Sequence, residues 1–489
     1  METLKFYEGG YNPEKEYVLY KSLEDGKFKR EYYRVLTTTS STNHTHDNKD
    51  TLDKITDEKI IEWDSKSTFS GSYNDLTDKP TIPTIVTNIQ ELESAMSKGG
   101  VIYILEGTYK LGENISLEYV SNTYLIALGD VTISINTNSA NYIAMRPKLD
   151  GTEGGYTAVE NFNMSGITFD GKGSANKAGL FATAHSKNIH IENCIFKNIN
   201  NSWHLVEINS SNTVVFDRCT FSDYNYRDIA EGDYFTEAVQ LDYAGADGNY
   251  PFTCNYDNTG CDNVTFNNCT FTRIKTTSTA AVGSHLFNST GRHQNIAFNN
   301  CKFEDVDNCV YGMGYKNLSF NNTTFLNVAI AIIIEPQSDN DGTSVSAIAC
   351  RYNGCNRYKK VERFNNIDEG RFLMHNNHSY RLSSSNLSNN FIEKSYSHGI
   401  GISPVDTTIT GNSVRYCGKH GIYLYGGQQT TITGNTAVGC GTLNASSYRD
   451  IYVSLGSLGY VKRCTIVGNA AYVYTDGNTY EATVIANNL

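Results

Sequence analysis

The densest run of chemically capable side chains lies between Asp223 and Asn263. There YNYRDIAEGDYFTEAVQLDYAGADGNYPFTCNYDNTGC places Asp228, Glu231, Asp233, Glu237, Asp242 and Asp247 among tyrosine and phenylalanine. Two nearby stretches carry related groups: SWHLVEINSS holds Trp203, His204 and Glu207, and AAVGSHLFNSTGRH holds His285, Arg292 and His293. Hydrolysis of a glycosidic bond needs two carboxyl groups flanking it, about 5.5 Å apart for retention and ~6.5–9.5 Å apart for inversion. One of them must stay protonated near neutral pH, which crowding of like charges achieves. A β-elimination would instead want Ca2+ and a base, for which Arg273, Lys275 or Arg292 is available. DYAGADG offers Asp242 and Asp247 to such an ion but lacks a full oxygen set. No cofactor and no metal site are therefore expected, with Ca2+ as the alternative. For any single carboxylate the plainer expectation is a solvated surface group. His285 beside Gly-Ser, and His204 beside Trp203, read equally as packed residues and as sugar contacts.

These stretches have to be held side by side, and the surrounding sequence supplies the means. Between Asn188 and Val328 one short unit recurs: NIHIENCIFKNI from Asn188, NTVVFDRCTFSDY from Asn212, NVTFNNCTFTRI from Asn263, NIAFNNCKFEDV from Asn295 and NLSFNNTTFLNV from Asn317. Each copy alternates with period two, turns at a polar corner, and continues as Cys/Thr-x-Phe, with no helical period. A unit of roughly 22–24 residues at its shortest, with longer intervals where loops are inserted, is the signature of a solenoid. One coil cannot bury its own apolar face, so it must stack on its neighbours at about 4.8 Å. Stacking predicts a ladder of Phe196, Phe221, Phe271, Phe303 and Phe325, and another of Cys194, Cys219, Cys269 and Cys301 with Thr324 near the same rung. Asn at the corners suits a left-handed bend and can bond its counterpart one coil on. SWHLVEINSS, TEAVQLDYAG and AAVGSHLFNSTGRH each precede such a unit. They are expected to be equivalent strands on successive coils, with Glu207, Glu237, Asp242 and His285 as outward neighbours on one lateral face.

The chain has 489 residues, of which 19% are charged and 39% hydrophobic, and a net charge of −12. That balance argues against nucleic acid and against an anionic membrane as partners. No apolar run approaches the ~20 residues of a membrane span. METLKFYEGG is polar and acidic, so no signal peptide is expected. Of the 12 Cys, at least four fall at one repeat position and read as small buried thiols. Cys254 and Cys261, inside the longest insertion, are the best candidates for a disulfide or metal pair.

Residues 1–36 contain EYVLYKSL and KFKREYYRVL around EDGK, which predicts a hairpin with an Asp-Gly turn. Residues 37–87 form a linker: a polar tract with His44 and His46, a short helical pattern through Leu52, Ile55, Ile60 and Trp63, then SYNDLTDKPTIP. The His tract, with TLDKITDEKIIEWDSKS and SYNDLTDKPTIP, resembles the linker of tail-fibre and baseplate proteins of phages that infect Gram-positive bacteria. Residues 88–489 open with an amphipathic helix over Ile89–Met96, within a cap at 88–97, followed by VIYILEGTYKL. That entrance is similar to the pectate-lyase-like (pectin-lyase-like) superfamily, which includes phage tailspikes. The helix would cover the open end of the solenoid, whose edge would otherwise pair with other chains. TTITGNSVRYCG from Thr407 and TTITGNTAVGC from Thr430 continue the coils, and CTIVGNAAYVY from Cys464 is a weaker copy.

The fold these patterns imply is all-β: a right-handed, single-stranded parallel β-helix with a small N-terminal β module and a linker. The handedness comes from the resemblance. E-A-V-Q-L-D followed one coil on by G-S-H resembles a recurrent feature of phage and surface β-helix proteins. It implies a polysaccharide site at Glu237, Asp242 and His285. The expected roles are an acid/base pair of Asp242 with Glu207 or Glu237, oriented by His285, with Trp203, His204, Asp247, Arg292 and His293 contacting substrate. The resemblance further implies a homotrimeric tail spike in the virion, released by lysis, attached to the baseplate through its N-terminus. It would bind, and cleave, a host cell-wall or capsular glycan or teichoic acid. The rivals are an adhesin without catalysis and a structural baseplate protein.

Overall fold

The computed structural model describes residues 83–489 except 113–114, 136–141, 175–177, 201–203, 226–236, 247–250, 277–279, 285–288, 339–340, 355–369, 376–378, 457–460, 477–479, 482 and 489. Within the first 82 residues it describes three strands, Thr56 and Lys59. Two compact units result, Met1–Pro80 and Thr81–Leu489. In the first, Glu16–Lys21 pairs antiparallel with Phe28–Tyr33, and Leu4–Phe6 adds to the other side of Glu16–Lys21. The pairing brackets the Asp25-Gly26 dipeptide, as the alternation of the two flanking runs requires. Leu52, Ile55, Ile60 and Trp63 of the helical pattern, and His44 and His46, lie outside the described residues.

The second unit is a right-handed parallel β-helix. A regular coil contributes three strands, for example Asn212–Asp217, Thr220–Asn225 and Val239–Asp242. Each pairs in parallel with its equivalent on the next coil. The third strands build one sheet of thirteen, from Leu117–Tyr119 to Val473–Thr475. From Leu382 onward the coils gain a further short strand, giving a sheet of five. Among the described residues no helix is long and apolar enough to cross a membrane.

The corner between the first two strands is made by one left-handed residue. Asn193, Arg218, Asn268, Asn300 and Asn322 all have φ between 50° and 54°. Asparagine tolerates this better than most residues because its short amide bonds locally. Asparagine amides run from coil to coil at this corner, where Asn322 Nδ2 donates to Asn300 Oδ1 at 2.9 Å, and at the start of the first strand, where Asn317 Nδ2 donates to Asn295 Oδ1 at 2.9 Å.

Inside, Phe196, Phe221, Phe271, Phe303 and Phe325 stack with centroids 5.5, 4.8, 4.4 and 5.2 Å apart. A second file, Phe216, Phe266, Phe298 and Phe320, runs beside it on the preceding strand. The thiol ladder is present, but its next rung is Thr323, not Thr324. Lys302 pairs with Thr324, so Cys301 meets Thr323, and Thr324 points the other way. Each rung side chain donates to a backbone carbonyl of the coil before: Cys269 Sγ to Phe216 O, Cys301 Sγ to Phe266 O, Thr323 Oγ1 to Phe298 O. Cys350 continues the file toward Phe320 O, and Asn390, Asn412, Asn435 and Asn469 complete it as buried amides.

Candidate functional site

The third strands carry the candidate acids, and their register is fixed by parallel pairing. Glu207 lies beside Gln240, and Asn209 beside Asp242. Val239 lies beside Val282 and Gln240 beside Gly283, so the strand before His285 is the next rung. Val206, Ile208, Val239, Leu241 and Val282 point into the core. By alternation Glu207, Asn209, Gln240 and Asp242 point outward. Glu237 stands at the same level as His204, whose Nδ1 lies 2.5 Å from the Glu237 carbonyl oxygen. The structure thus brings Glu207 and Asp242 onto adjacent rungs, two residues apart along the strand, while Glu237 lies five residues before Asp242, ahead of the strand and outside the expected common row. His285, Trp203 and Asp247 lie outside the described residues.

Outward does not mean exposed. Glu207, Glu237 and Asp242 are 1%, 0% and 4% accessible, against the open lateral face that the repeat predicts. The physical reason is the insertion itself. After Asp242 the chain folds back over the outer face of the same sheet, where Phe252 and Cys254 pack with Ile143, Ala182 and Ala184. Ala182 and Ala184 are the rung partners of Glu207 and Asn209. The covering segment is pinned to residues 150–158: Asn255 N donates to Glu153 O, Gly155 N to Asp257 Oδ2, and the Tyr156 hydroxyl to Gly260 O. Beneath it, Asn209 Nδ2 donates to Glu207 Oε2 at 3.4 Å and Tyr243 N to Asp242 Oδ1 at 2.8 Å.

The remaining candidates are held by structural contacts. His204 is 3% exposed and belongs to the coil stack, not to an open stacking platform. Arg292 spans to the next coil: Nε donates to Gly314 O at 2.6 Å and Nη2 to Thr343 Oγ1 at 2.9 Å, with Asp341 at 3.7 Å. His293 accepts from Cys261 N on Nδ1 at 3.1 Å and meets Tyr315 edge-on. Burial pushes its pKa down to about 3, so it is neutral at physiological pH. Cys254 and Cys261 are both free thiols. Cys261 reaches the carbonyls of Ile208 and Asp242, and burial pushes it up to about 12. Cys254 is a member of the outer apolar cluster. They sit in different surroundings, which is why proximity in sequence misleads.

Two open grooves flank this region. One, of about 510 Å3, is lined by Asn198, Asn200, Asp223, Asn225, Arg273 and Lys275, at the mouths of the segments that lead to the strands Val206–Asn209, Val239–Asp242 and Val282–Gly283. Arg273 grips Asp223 through Nε at 2.5 Å and Nη2 at 2.7 Å, and that contact holds the carboxyl below its usual range. The other, of about 390 Å3, is lined by asparagine, serine and threonine (Asn263, Thr265, Asn295, Asn317 and Ser346 among them) together with Ala297, Leu318 and Val345, and has no ionisable group. The sequence reading missed both, because they arise from side chains of adjacent coils that are individually unremarkable surface residues.

A family model described as a right handed beta helix region matches residues 372–489. Over 300 residues the chain is 26% identical to plasmin and fibronectin-binding protein A of Streptococcus pneumoniae, a match that covers 55% of this chain and 41% of that protein. The chain therefore spans about two-fifths of that relative's length. Among solved structures, the Streptococcus pneumoniae surface protein and adhesin PfbA shares 15% identity over 82% of this chain and 95% of that one, with a TM-score of 0.42. Tailspike protein 3 of bacteriophage CBA120 shares 14% identity over 81% and 51%, with a TM-score of 0.46.

Proposed function

We propose that this protein is a virion tail appendage that engages a cell-surface glycan of its host along the β-helix and cleaves it with the carboxyl groups of Glu207, Glu237 and Asp242. The observation that carries cleavage is the placement of Glu207 and Asp242 on adjacent rungs, two residues apart along the strand, with Glu237 buried on the same coil as Asp242. Taking such groups out of water is costly, and folds retain the arrangement mainly where it does chemistry. In this reading Asp242 works with Glu207 or Glu237 as acid and base, and His285 orients one of them. Trp203, His204, Asp247, Arg292 and His293 shape the surroundings. The Ser72–Pro83 string, which resembles tail-fibre linkers, supports the virion location. The N-terminal strands would attach to the baseplate, and three copies would form the spike.

Binding without cleavage is the second reading. It is favoured by the uncharged groove beside Asn295, whose amides and hydroxyls suit sugar hydroxyls. The relative named for plasmin and fibronectin binding supports a surface-binding role of this kind. The deciding experiment incubates purified protein with surface glycan from Gram-positive hosts and follows polymer size and ultraviolet absorbance. Wild type should shorten the polymer, and Asp242→Asn and Glu237→Gln should slow this by about 10²-fold or more. New absorbance from unsaturated ends would make it a lyase. Polymer that binds yet keeps its length would leave the adhesin reading in place and remove the catalytic one.

A further inference from the structure

The outer face of the thirteen-stranded sheet changes character along the molecule. Around Asp242 it is covered by the insertion. In the next coils it is apolar and buried, with Tyr311, Ile330, Ile333 and Met374 in one cluster. Beyond Met374 the same outward row runs Gly401, Tyr423, Tyr452 and Tyr474. Tyr423 and Tyr452 are part-exposed, and Tyr474 is 49% exposed. Tyr423 and Tyr452 stack at 5.5 Å and 7°, and His420 lies on Tyr452 at 4.5 Å. Because these rings use their faces on one another, what they turn outward is edges and hydroxyl groups.

Cations gather at both ends of this row. Arg371 is part-exposed as a residue, with its guanidinium largely withdrawn from water; it donates from Nε to Ser397 Oγ at 3.2 Å and has no carboxylate partner among the described residues. It borders the gap left by Gly401, where an added Cβ would sit 3.7 Å from Arg371 Nη1. Burial holds its pKa down to about 10, so it is still charged at neutral pH. At the other end Arg449 lies 5.0 Å over the Tyr474 ring, and its guanidinium donates, among the described residues, to the backbone carbonyls of residues 445, 446 and 448. Lys419 lies 5.9 Å over Tyr448 between them. The nearby Asp476 is turned to the Tyr452 hydroxyl and Leu455 N. In a chain with 52 acidic and 40 basic residues, two guanidinium groups on one face, neither paired with a carboxylate among the described residues, mark this face out, with Asp476 turned to Tyr452 beside them.

We propose that this face binds an anionic glycan, a polymer of sugars or polyols bearing carboxylate or phosphate groups. Arg371 and Arg449 take two of its charges and the tyrosine edges meet its hydroxyls. The two arginines are three coil steps apart, about 14 Å at ~4.8 Å per step, so the ligand is extended along the axis. Guanidinium forks suit carboxylate and phosphate oxygens bidentately. The inference deepens the proposal above by naming the charge class of the polymer, and rests on it for the polymer's being a cell-surface one.

Calorimetric titration of the full chain with sodium polygalacturonate, with poly(glycerol phosphate) and with neutral dextran tests this and separates a carboxylate source from a phosphate source. At least one polyanion should bind and dextran should not. Arg371→Gln should weaken binding by about tenfold, and Arg371→Lys should recover only part of it. If Arg371→Gln does not fold by circular dichroism, Arg449→Gln, on a part-exposed side chain, should show a loss of several-fold. Unchanged affinity in a folded arginine variant, equal binding of dextran, or no binding of either polyanion overturns the proposal. Failure of the cleavage reading shows instead as polymer of unchanged length, so the two failures are distinct.

Discussion

At the scale of single residues, the corner file running from Cys194 to Asn469 shows how one position changes chemistry while keeping one task. A thiol, a hydroxyl or an amide in turn donates to a carbonyl one coil back, and the amides do more. Asn412 donates from Nδ2 to Leu387 O and to Asn435 Oδ1, and its own Oδ1 accepts from Asn390 N. Truncation by Asn412→Ala therefore strands several buried polar groups at once, each costing about 1–3 kcal/mol. Amide hydrogen exchange in Leu387–Ile432 should accelerate by ten- to a hundredfold, while exchange in Asn188–Ile274 stays as in wild type. Uniform acceleration, or none, would contradict the local role. The thiol half of this file is legible in the repeat, because Cys recurs before x-Phe. Its amide half is not, since an Asn after Gly, as at Asn412, Asn435 and Asn469, or after Asn389, as at Asn390, reads as a turn residue. The slip from Thr323 to Thr324 has a similar origin: NNTTF offers two threonines, and only the pairing of Lys302 with Thr324 decides which faces in.

At the scale of elements, the helix Ile89–Met96 and the insertion after Asp242 make an instructive pair. The helix is written locally. Asn88 Oδ1 caps it by accepting from Glu91 N at 2.9 Å, and the Glu91 carboxylate accepts from Thr87 N at 2.7 Å. Leu92, Ala95 and Met96 lie on one face and are buried in the main core with Val86 and Ile102. The edge that this face covers is the first coil's, so Leu92→Asp should expose it. The expected outcome is concentration-dependent association by light scattering, against a size that does not vary with concentration for Glu93→Gln on the solvent side. The insertion is the opposite case. Alternation tells that Glu207 and Asp242 leave the core, and the repeat aligns their strands correctly. What lies above them depends on Phe252 and Cys254 reaching Ala182 and Ala184, a contact between segments without any shared period. For that reason the direction of the acidic row could be read from the sequence and its burial could not.

At the scale of the whole molecule, four histidines tie distant segments by the same device. Nδ1 accepts a backbone N–H: His293 from Cys261, His375 from Ser403, His398 from His420, and His420 from Arg449. An accepting Nδ1 places the ring hydrogen on Nε2 and requires a neutral imidazole. Burial is the main reason that His293 titrates at about 3 and His420 at about 4, both below the ~6.5 of an unfolded chain. The sign follows from linkage. The unfolded chain takes up these protons first, so the stability they contribute is complete above ~6.5 and declines as pH falls toward 4 and then 3. Each unit of separation is about 1.4 kcal/mol for a buried group. Because coils stack only on their neighbours, the loss should start in the coils around the affected histidine and not as one concerted step. The melting temperature of the β-helix should be level from pH 8 to 7 and drop between pH 6.5 and 4, before most carboxylates protonate. His420→Gln should flatten part of that drop and confine the change to coils from Gly399 onward by hydrogen exchange. A melting temperature that stays level down to pH 4.5 would mean that these rings carry no such coupling, and the coil-to-coil bonding of the C-terminal half would then rest on the asparagine file alone.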